Sequence, residues 1–412
     1  MRHIDDMHLR WAATAAIAVH VLDDSFIQPQ PGTSAGDHLA GGIIPVAALA
    51  AAAALLPRVR AGLRGALTLL IGFSGVMVGS EAAYFTATGH ASGDDWTGLL
   101  ALLAGVAMLV LGTRDLWRSR RRGGSAIRRD GRRLAVLGGS VLVGYLVLFQ
   151  FAMGYGTTHI ASPEVPEVDL GRPFQDVTVP SADGVELSGW YVPSRNRAAV
   201  VIIAMGRTSP GPHARMLARN GYGVLVIDPR GWGRSHGDPN AFGWAGSKDV
   251  RGAVDWVAAR PDVDPGRVGG LGLSVGGEMM IQAAAETDAL AAVVSEGAGE
   301  RSVREFLSGV SGPDWLALPQ YAALTTSVAL FGNDTPPPGL EDLAGEVEEP
   351  MLLMYGEHGQ PLERELNPKY AAAAGETATL WEVPGSGHMS GLDAQPAEYE
   401  RRVVGFLDEE LG

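Results

Sequence analysis

The chain of 412 residues contains no cysteine, which excludes a disulfide framework and any thiolate metal site. Lysine is almost absent as well: Lys248 and Lys369 are the only two, and arginine supplies the remaining positive charge. Positive charge of either kind is scarce beyond residue 155, where 18 basic residues face 36 acidic ones. Binding the phosphate backbone needs a basic face, so nucleic acid is excluded as a partner. Aromatic residues (7%) and charged residues (19%) are both sparse, whereas hydrophobic residues reach 46%. A chain of this length and composition can bury a sizeable core and form more than one domain.

The charge deficit does not extend to the N-terminal part, which holds 14 arginines against 10 acidic residues up to residue 155. Five apolar segments lie there: Leu9 to Val21, His38 to Leu56, Leu63 to Phe85, Trp96 to Gly112 and Leu134 to Tyr155. A helix needs about 20 apolar residues to cross the hydrocarbon core, with roughly 17 to 25 observed. Four segments meet that length; the first is short, and the charge pattern is the reason for counting it. Arg58, Arg60 and Arg64 lie between the second and third segments, and nine arginines from Arg114 to Arg133 lie between the fourth and fifth. The alternate loops "DSFIQPQPGTSAGD" and "TATGHASGDD" carry no lysine or arginine. Positively charged loops stay in the cytoplasm. The expectation is therefore an all-helical, multi-pass cell-membrane domain of about five spans, with a cytoplasmic N-terminus and everything past Tyr155 extracytoplasmic. No small-residue cleavage site follows the first segment, so it is not expected to be a removable signal peptide.

His20, Asp23, Asp24 and Glu81 are ionisable residues in or beside these segments. Ionisable groups inside a span are functional candidates by default, and His20 and Asp24, four residues apart, share a helix face. Asp23 and Asp24 also fall at the outer water boundary and Glu81 near a segment end, which suits a structural role better. Runs of small residues such as "VAALAAAAALL" and "GVMVGSEAA" favour close helix packing.

Past the polar connector "SPEVPEVDLGRPF" the pattern changes to short β-branched runs and amphipathic helices. "QDVTVPSADGVELSGWYVPS" predicts two strands about a turn at Asp183-Gly184. Then "AAVVIIAMG", "YGVLVIDPRG", "RVGGLGLS", "LAAVVSEG", "PMLLMYGE" and "ATLWEVPG" predict strands separated by helices, the last followed by the helix "PAEYERRVVGFLDEEL". Continuous apolar strands alternating with helices imply an α/β fold, a doubly wound and mostly parallel sheet covered on both faces. The expected organisation is a helical membrane domain at 1–155, a linker at 156–173 and the α/β domain at 174–412.

Within that domain "GLGLSVGGEMM" places Ser274 directly after a predicted strand and before a predicted helix. That context separates a nucleophile elbow from a chance G-x-S-x-G match. A strand that turns at once into a helix strains the serine and brings neighbouring backbones together, so Gly272 and Gly276 flank it for a steric reason. It also sets the serine oxygen among unpaired N–H groups at a helix start.

Residues 174–411 resemble the α/β-hydrolase family, through "GLSVGG" at Gly272 to Gly277, "DPRGWGRS" at Asp228 to Ser235 and "GSGH" at Gly385 to His388. The likeness is to its esterase, lipase and peptidase-like members and does not reach the membrane half. It implies a Ser-His-acid triad with Ser274 as nucleophile. His388 becomes the base, since of His159, His213, His236, His358 and His388 it alone falls in the loop after the final strand. At the family's acid position, after "MLLMYG", an Asp is missing; Glu363 is the preferred substitute, with Glu357 and Glu365 as alternatives and Glu296 a more distant one. Met205 stands where the family often has a histidine, yet the oxyanion donors are backbone N–H groups, here those of Arg207 and Val275.

Between residues 300 and 349 an insertion mixes aromatic and aliphatic residues with helix breakers, as expected of a lid over an acyl pocket. Together these features imply a membrane-anchored serine hydrolase of the carboxylesterase or lipase type, needing no metal or organic cofactor. Its expected partners are a small-molecule or lipid ester and the bilayer. A different class of reading is a degenerate hydrolase domain that binds a ligand or serves transport; the missing Asp and Met205 favour it, while Ser274, its glycines and His388 oppose it.

Overall fold

The computed structural model describes residues 2–28, 35, 39–88, 93, 95–119, 125–159, 169–204, 210–332 and 334–412. The chain divides into two units, Met1–Gly156 with Pro319–Asn333, and Thr157–Leu318 with Asp334–Gly412.

All five apolar segments of the first unit are helical: Arg2–Leu22, Leu39–Leu55, Ala61–Thr88, Asp95–Arg118, and a long run from Ala126–Val143 through a π turn at Gly144–Phe149 to Gln150–His159. The expected count of five spans is not confirmed. Among the described residues, three stretches are long and apolar enough to cross a membrane: Ala61–Ser80, Asp95–Arg118 and Ala126–Thr158. The first helix begins with Arg2, Asp5, Asp6 and Arg10, and the second is only 17 residues long with Pro45 inside it.

Gly65, Gly72 and Gly79 recur every seventh residue on Ala61–Thr88 and meet Gly112, Gly105 and Gly98 on Asp95–Arg118. A Cβ at Gly72 would lie 2.9 Å from the carbonyl oxygen of Gly105, and one at Gly79 would lie 2.6 Å from that of Gly98. The two antiparallel backbones therefore touch along their length. In lipid, where apolar side chains gain nothing by leaving water, such close van der Waals contact is what joins helices. Buried Arg10 bonds Asp115 at 2.6 Å and Arg114 pairs with Asp6, tying the first helix to Asp95–Arg118.

At its other end the first helix passes into a π turn over Asp23–Ile27. Thr97 Oγ1 donates to Asp23 Oδ2 at 2.8 Å and lies 3.2 Å from His20 Nδ1, while Asp24 accepts from the Tyr155 hydroxyl. The side chain of Glu81 lies outside the described residues.

The second unit is built on an eight-stranded sheet. Its strands are β1 (Gln175–Pro180), β2 (Glu186–Val192), β3 (Ala199–Ala204), β4 (Gly223–Ile227), β5 (Val268–Leu273), β6 (Ala292–Glu296), β7 (Met351–Gly356) and β8 (Ala378–Val383). The order is β1-β2-β4-β3-β5-β6-β7-β8, with β2 antiparallel to both neighbours and the remaining pairs parallel. β3 through β7 are apolar on both faces because both faces are covered. Val201 and Ile203 share one core with Val254, Ile281 and Tyr370. Val200 and Ile202 belong to the other, with Met216, Leu217, Val403 and Leu407. Each such side chain, fully buried, contributes about 1.5–3 kcal/mol by leaving water. Strand order reverses between β3 and β5, which opens the crevice at their C-terminal ends where ligands of such sheets bind.

The last helix of the first unit runs to His159, while the division between the units falls at Gly156, and residues 160–168 lie outside the described set. More consequentially, Pro319–Asn333, the middle of the insertion expected as a lid at 300–349, groups with the helical unit. The physical reason is its helix Leu318–Phe331, which carries no charge: Ser327 Oγ donates to the carbonyl of Phe151 at 2.7 Å, and Phe331 meets the rings of Phe151 and Tyr155 edge-on.

Candidate active site

Ser274 occupies the single residue between β5 and the helix Val275–Glu286. Its φ of 54° and ψ of −125° put a non-glycine residue in a strained conformation, at a cost of about 1–3 kcal/mol that the surrounding fold must offset. The glycines make the turn sterically possible. A Cβ on Gly272 would lie 2.2 Å from the carbonyl oxygen of Gly276, and one on Gly276 would lie 2.2 Å from that of Ile203 in β3. The Ser274 amide donates to the Glu296 carbonyl at 2.7 Å, which continues the β5–β6 pairing to the tip of the turn.

The structure brings together three of the residues singled out from sequence. His388 Nε2 lies 3.0 Å from Ser274 Oγ, and His388 Nδ1 lies 2.6 Å from Glu363 Oε2. The imidazole is partly exposed, with 22% of its side chain accessible, whereas Glu363 is buried at 1%. Gly297, with φ +79°, turns tightly beneath the imidazole; a Cβ there would sit 3.1 Å from Nδ1. The loop carrying His388 is fixed from below, since the amide of His358 donates to the Ser386 carbonyl and Ser390 Oγ accepts the Gly387 amide.

Glu363 is held by the start of its own helix, Pro361–Ala374. It is the third helical residue, where its Oε2 accepts the Gln360 amide at 3.1 Å as one half of a capping box, and its Oε1 accepts the Gly356 amide at 3.1 Å. One carboxylate thus satisfies a helix start, the end of β7 and an imidazole together. Glu357 is exposed and accepts the Gly385 amide, and Glu365 is exposed on the same helix as Glu363; neither bonds His388. Glu296 is committed elsewhere: buried, it accepts from Tyr399 Oη at 2.7 Å and the Gly391 amide at 2.8 Å, with His213 Nε2 3.8 Å away. Burial alone would raise its pKa, but these three partners together hold it below the ordinary glutamate range.

Of the two expected oxyanion donors, Val275 is the first residue of its helix, where an N–H has no intrahelical acceptor. Arg207 lies with Met205 in the segment 205–209, outside the described residues. The "DPRGWGRS" stretch acts as a brace. Arg230 forks across Asp249 (2.7 Å) and Asp183 (2.8 Å), and the Asp228 carboxyl, raised by burial to about 6 despite the Arg234 amide and charge, takes no part in the triad.

Sequence reading missed the layer behind the nucleophile. Glu278, one turn past Ser274, is buried and accepts the Gly299 amide at 2.9 Å; burial pushes its carboxyl up to about 8 even with Arg301 nearby. Arg301, itself buried, bonds Gln282 at 2.5 Å, and Asn367 ties the Ala298 carbonyl to that of Glu363. A single carboxylate one helical turn after the nucleophile, Glu278 on a largely apolar helix, was the available signal.

The fold and this constellation define a class, and comparison with known proteins agrees. Residues 162–337 match the family model described as X-Pro dipeptidyl-peptidase (S15 family), a span that includes Ser274 but stops short of Glu363 and His388. An uncharacterized protein of Mycobacterium tuberculosis is 30% identical over 220 residues, covering 52% of this chain and 72% of that protein. A protein of Bacillus subtilis named an uncharacterized peptidase is 27% identical over 270 residues, 58% of this chain and 39% of that one. Among solved structures, an esterase of Pyrococcus furiosus superposes with a TM-score of 0.50 at 21% identity, covering 61% of this chain and all of the esterase. The chain belongs to the α/β-hydrolase family. It is a hydrolase of the esterase or peptidase type.

Proposed function

We propose that the protein is a membrane-anchored serine hydrolase that cleaves ester-type substrates with apolar acyl groups through an acyl-enzyme. The observation that carries this reading is the unbroken line from Ser274 Oγ through His388 to Glu363, at 3.0 and 2.6 Å. His388 Nε2 takes the serine proton as Oγ attacks the carbonyl carbon, and the same imidazolium then protonates the departing alkoxide. Glu363 holds the imidazole by Nδ1 and stabilises its positive form without itself taking the proton. The Val275 amide, with a second donor from the Arg207 segment, receives the oxyanion. A water activated by His388 then releases the acid and restores Ser274.

Three apolar helices suited by length to a bilayer support the anchor. The arginines that flank them support a cytoplasmic N-terminus and an extracytoplasmic hydrolase unit. A complete triad geometry weighs against a degenerate, purely ligand-binding domain. A peptidase reading has its own support in the family match at 162–337 and in the name of the Bacillus subtilis relative. Turnover of a p-nitrophenyl ester series of increasing acyl length, set beside an aminoacyl-prolyl-p-nitroanilide, decides between them. Ester cleavage should dominate; turnover of the anilide alone would make the peptidase reading the right one.

A further inference from the structure

The insertion expected to cover the active site has the surface of a membrane element. No charged residue occurs between Asp314 and Asp334. Six large hydrophobic side chains are exposed among the described residues past 168, and four of them fall in or next to this stretch: Leu307, Trp315, Leu316 and Leu330. Trp315 and Leu316 are 59% and 62% exposed on the short helix Gly312–Ala317, which leads directly into Leu318–Phe331. Among the described residues past 168 outside this region, Phe174 and Leu380 are the exposed large apolar side chains, so this concentration calls for a partner.

The depth of the attached helix identifies that partner. Leu318–Phe331 packs on the C-terminal part of the apolar run Ala126–Thr158 through Ser327 against Phe151 and Gly154, and through Phe331 against Phe151 and Tyr155. The arginines of that run end at Arg133, so its apolar stretch starts at Leu134. At 1.5 Å per residue a hydrocarbon core of about 30 Å is crossed in about 20 residues, which brings the far boundary close to Gly154. The insertion helix meets the run at that boundary. An uncharged segment carrying an exposed tryptophan at this level matches the composition of the membrane interface.

We propose that residues 315–331 form an interfacial element seated in the phospholipid leaflet opposite the arginine-rich loop, with Trp315, Leu316 and Leu330 in contact with lipid. The inference rests on the membrane reading given above. The element is then seated in lipid rather than free in water as a lid.

The absence of native cysteine permits a direct test in the full-length protein. Single variants Trp315→Cys, Leu316→Cys and Leu330→Cys are spin-labelled in phosphatidylcholine/phosphatidylglycerol vesicles, and collision with oxygen is compared with collision with a water-soluble nickel chelate. Leu103→Cys, exposed on a candidate span, and Glu376→Cys, exposed on the α/β unit, are the lipid and water references. The expected result is an oxygen-to-nickel ratio at 315, 316 and 330 severalfold above that at 376 and close to that at 103. Ratios like that of 376, with 103 still lipid-like, overturn the inference and leave the anchor intact. A water-like ratio at 103 as well overturns both.

Discussion

The two units solve the same problem, bringing chain segments into close contact, by opposite means. In the α/β unit, alternating β-branched residues seal both faces of a sheet, and glycine is needed where Ser274 turns the chain. In the helical unit, glycine is the packing residue itself, repeated every seventh position so that two backbones meet. The difference fits the solvents proposed for the two units. Water expels the side chains of the sheet, whereas lipid would not, and helices in lipid associate by fit. Backbone irregularity is also placed differently: among the described residues the non-glycine residues with positive φ, Arg197, Ser274 and Met389, all lie in the α/β unit, whereas the helical unit has π turns at Asp23–Ile27 and Gly144–Phe149.

Substitutions should separate the two regimes. The largest effect is expected at the turn: Ser274→Ala or His388→Ala should lower ester turnover by roughly 10⁴-fold or more, with the melting temperature of the detergent-solubilised protein little changed. Next comes the acid. Glu363→Gln keeps the shape but loses the charge facing Nδ1, and should cost roughly 10³–10⁴-fold in kcat; Glu357→Gln and Glu365→Gln should stay within about twofold of the parent, as surface changes do. Equal losses in all three would remove Glu363 from its role.

On the helical side, Gly105→Leu forces a branched side chain against the backbone near Gly72 and Val76. Overpacking of this kind costs about 1–3 kcal/mol and should appear as a lower melting temperature in detergent, while esterase activity per folded molecule is retained. An unchanged melting temperature would mean that the glycine register does not join these helices.

The smallest effect is a change of slope with pH. Burial raises the Glu278 carboxyl from 4.5 to about 8, so the folded protein holds that proton more tightly than the unfolded chain does. Its contribution to stability is therefore greatest at low pH and declines as pH rises through that interval, by at most about 1.4 kcal/mol per pH unit. Glu278→Gln, which stays neutral, should flatten melting temperature against pH over the same range. A parallel curve for parent and variant would contradict the assignment.

Legibility differed along similar lines. Ser274 and His388 stood out because an elbow serine has an unusual local sequence and the last strand has one loop histidine. The acid did not, because three glutamates lie within nine residues of Gly356 and only the folded helix start selects one. The signal was nonetheless present: Gln360-Pro361-Leu362-Glu363 is an N-cap, a first-turn proline and a capping-box glutamate. The partner of Leu318–Phe331 was not legible. An apolar helix pattern states that a face will be covered and leaves the cover open, and here the covering surface comes from Phe151, Gly154 and Tyr155, far away in sequence. His20 meets Thr97 together with Asp23 rather than Asp24, a pairing set by the neighbouring helix and not by spacing along the first.

The central claim is that Ser274 is an activated nucleophile. Labelling of the purified full-length protein with a fluorophosphonate tests it most directly, because the reagent reacts with a serine whose proton a neighbouring base can take. The parent should label and Ser274→Ala should not. A folded parent that stays unlabelled, or label that persists in the variant, would contradict the account.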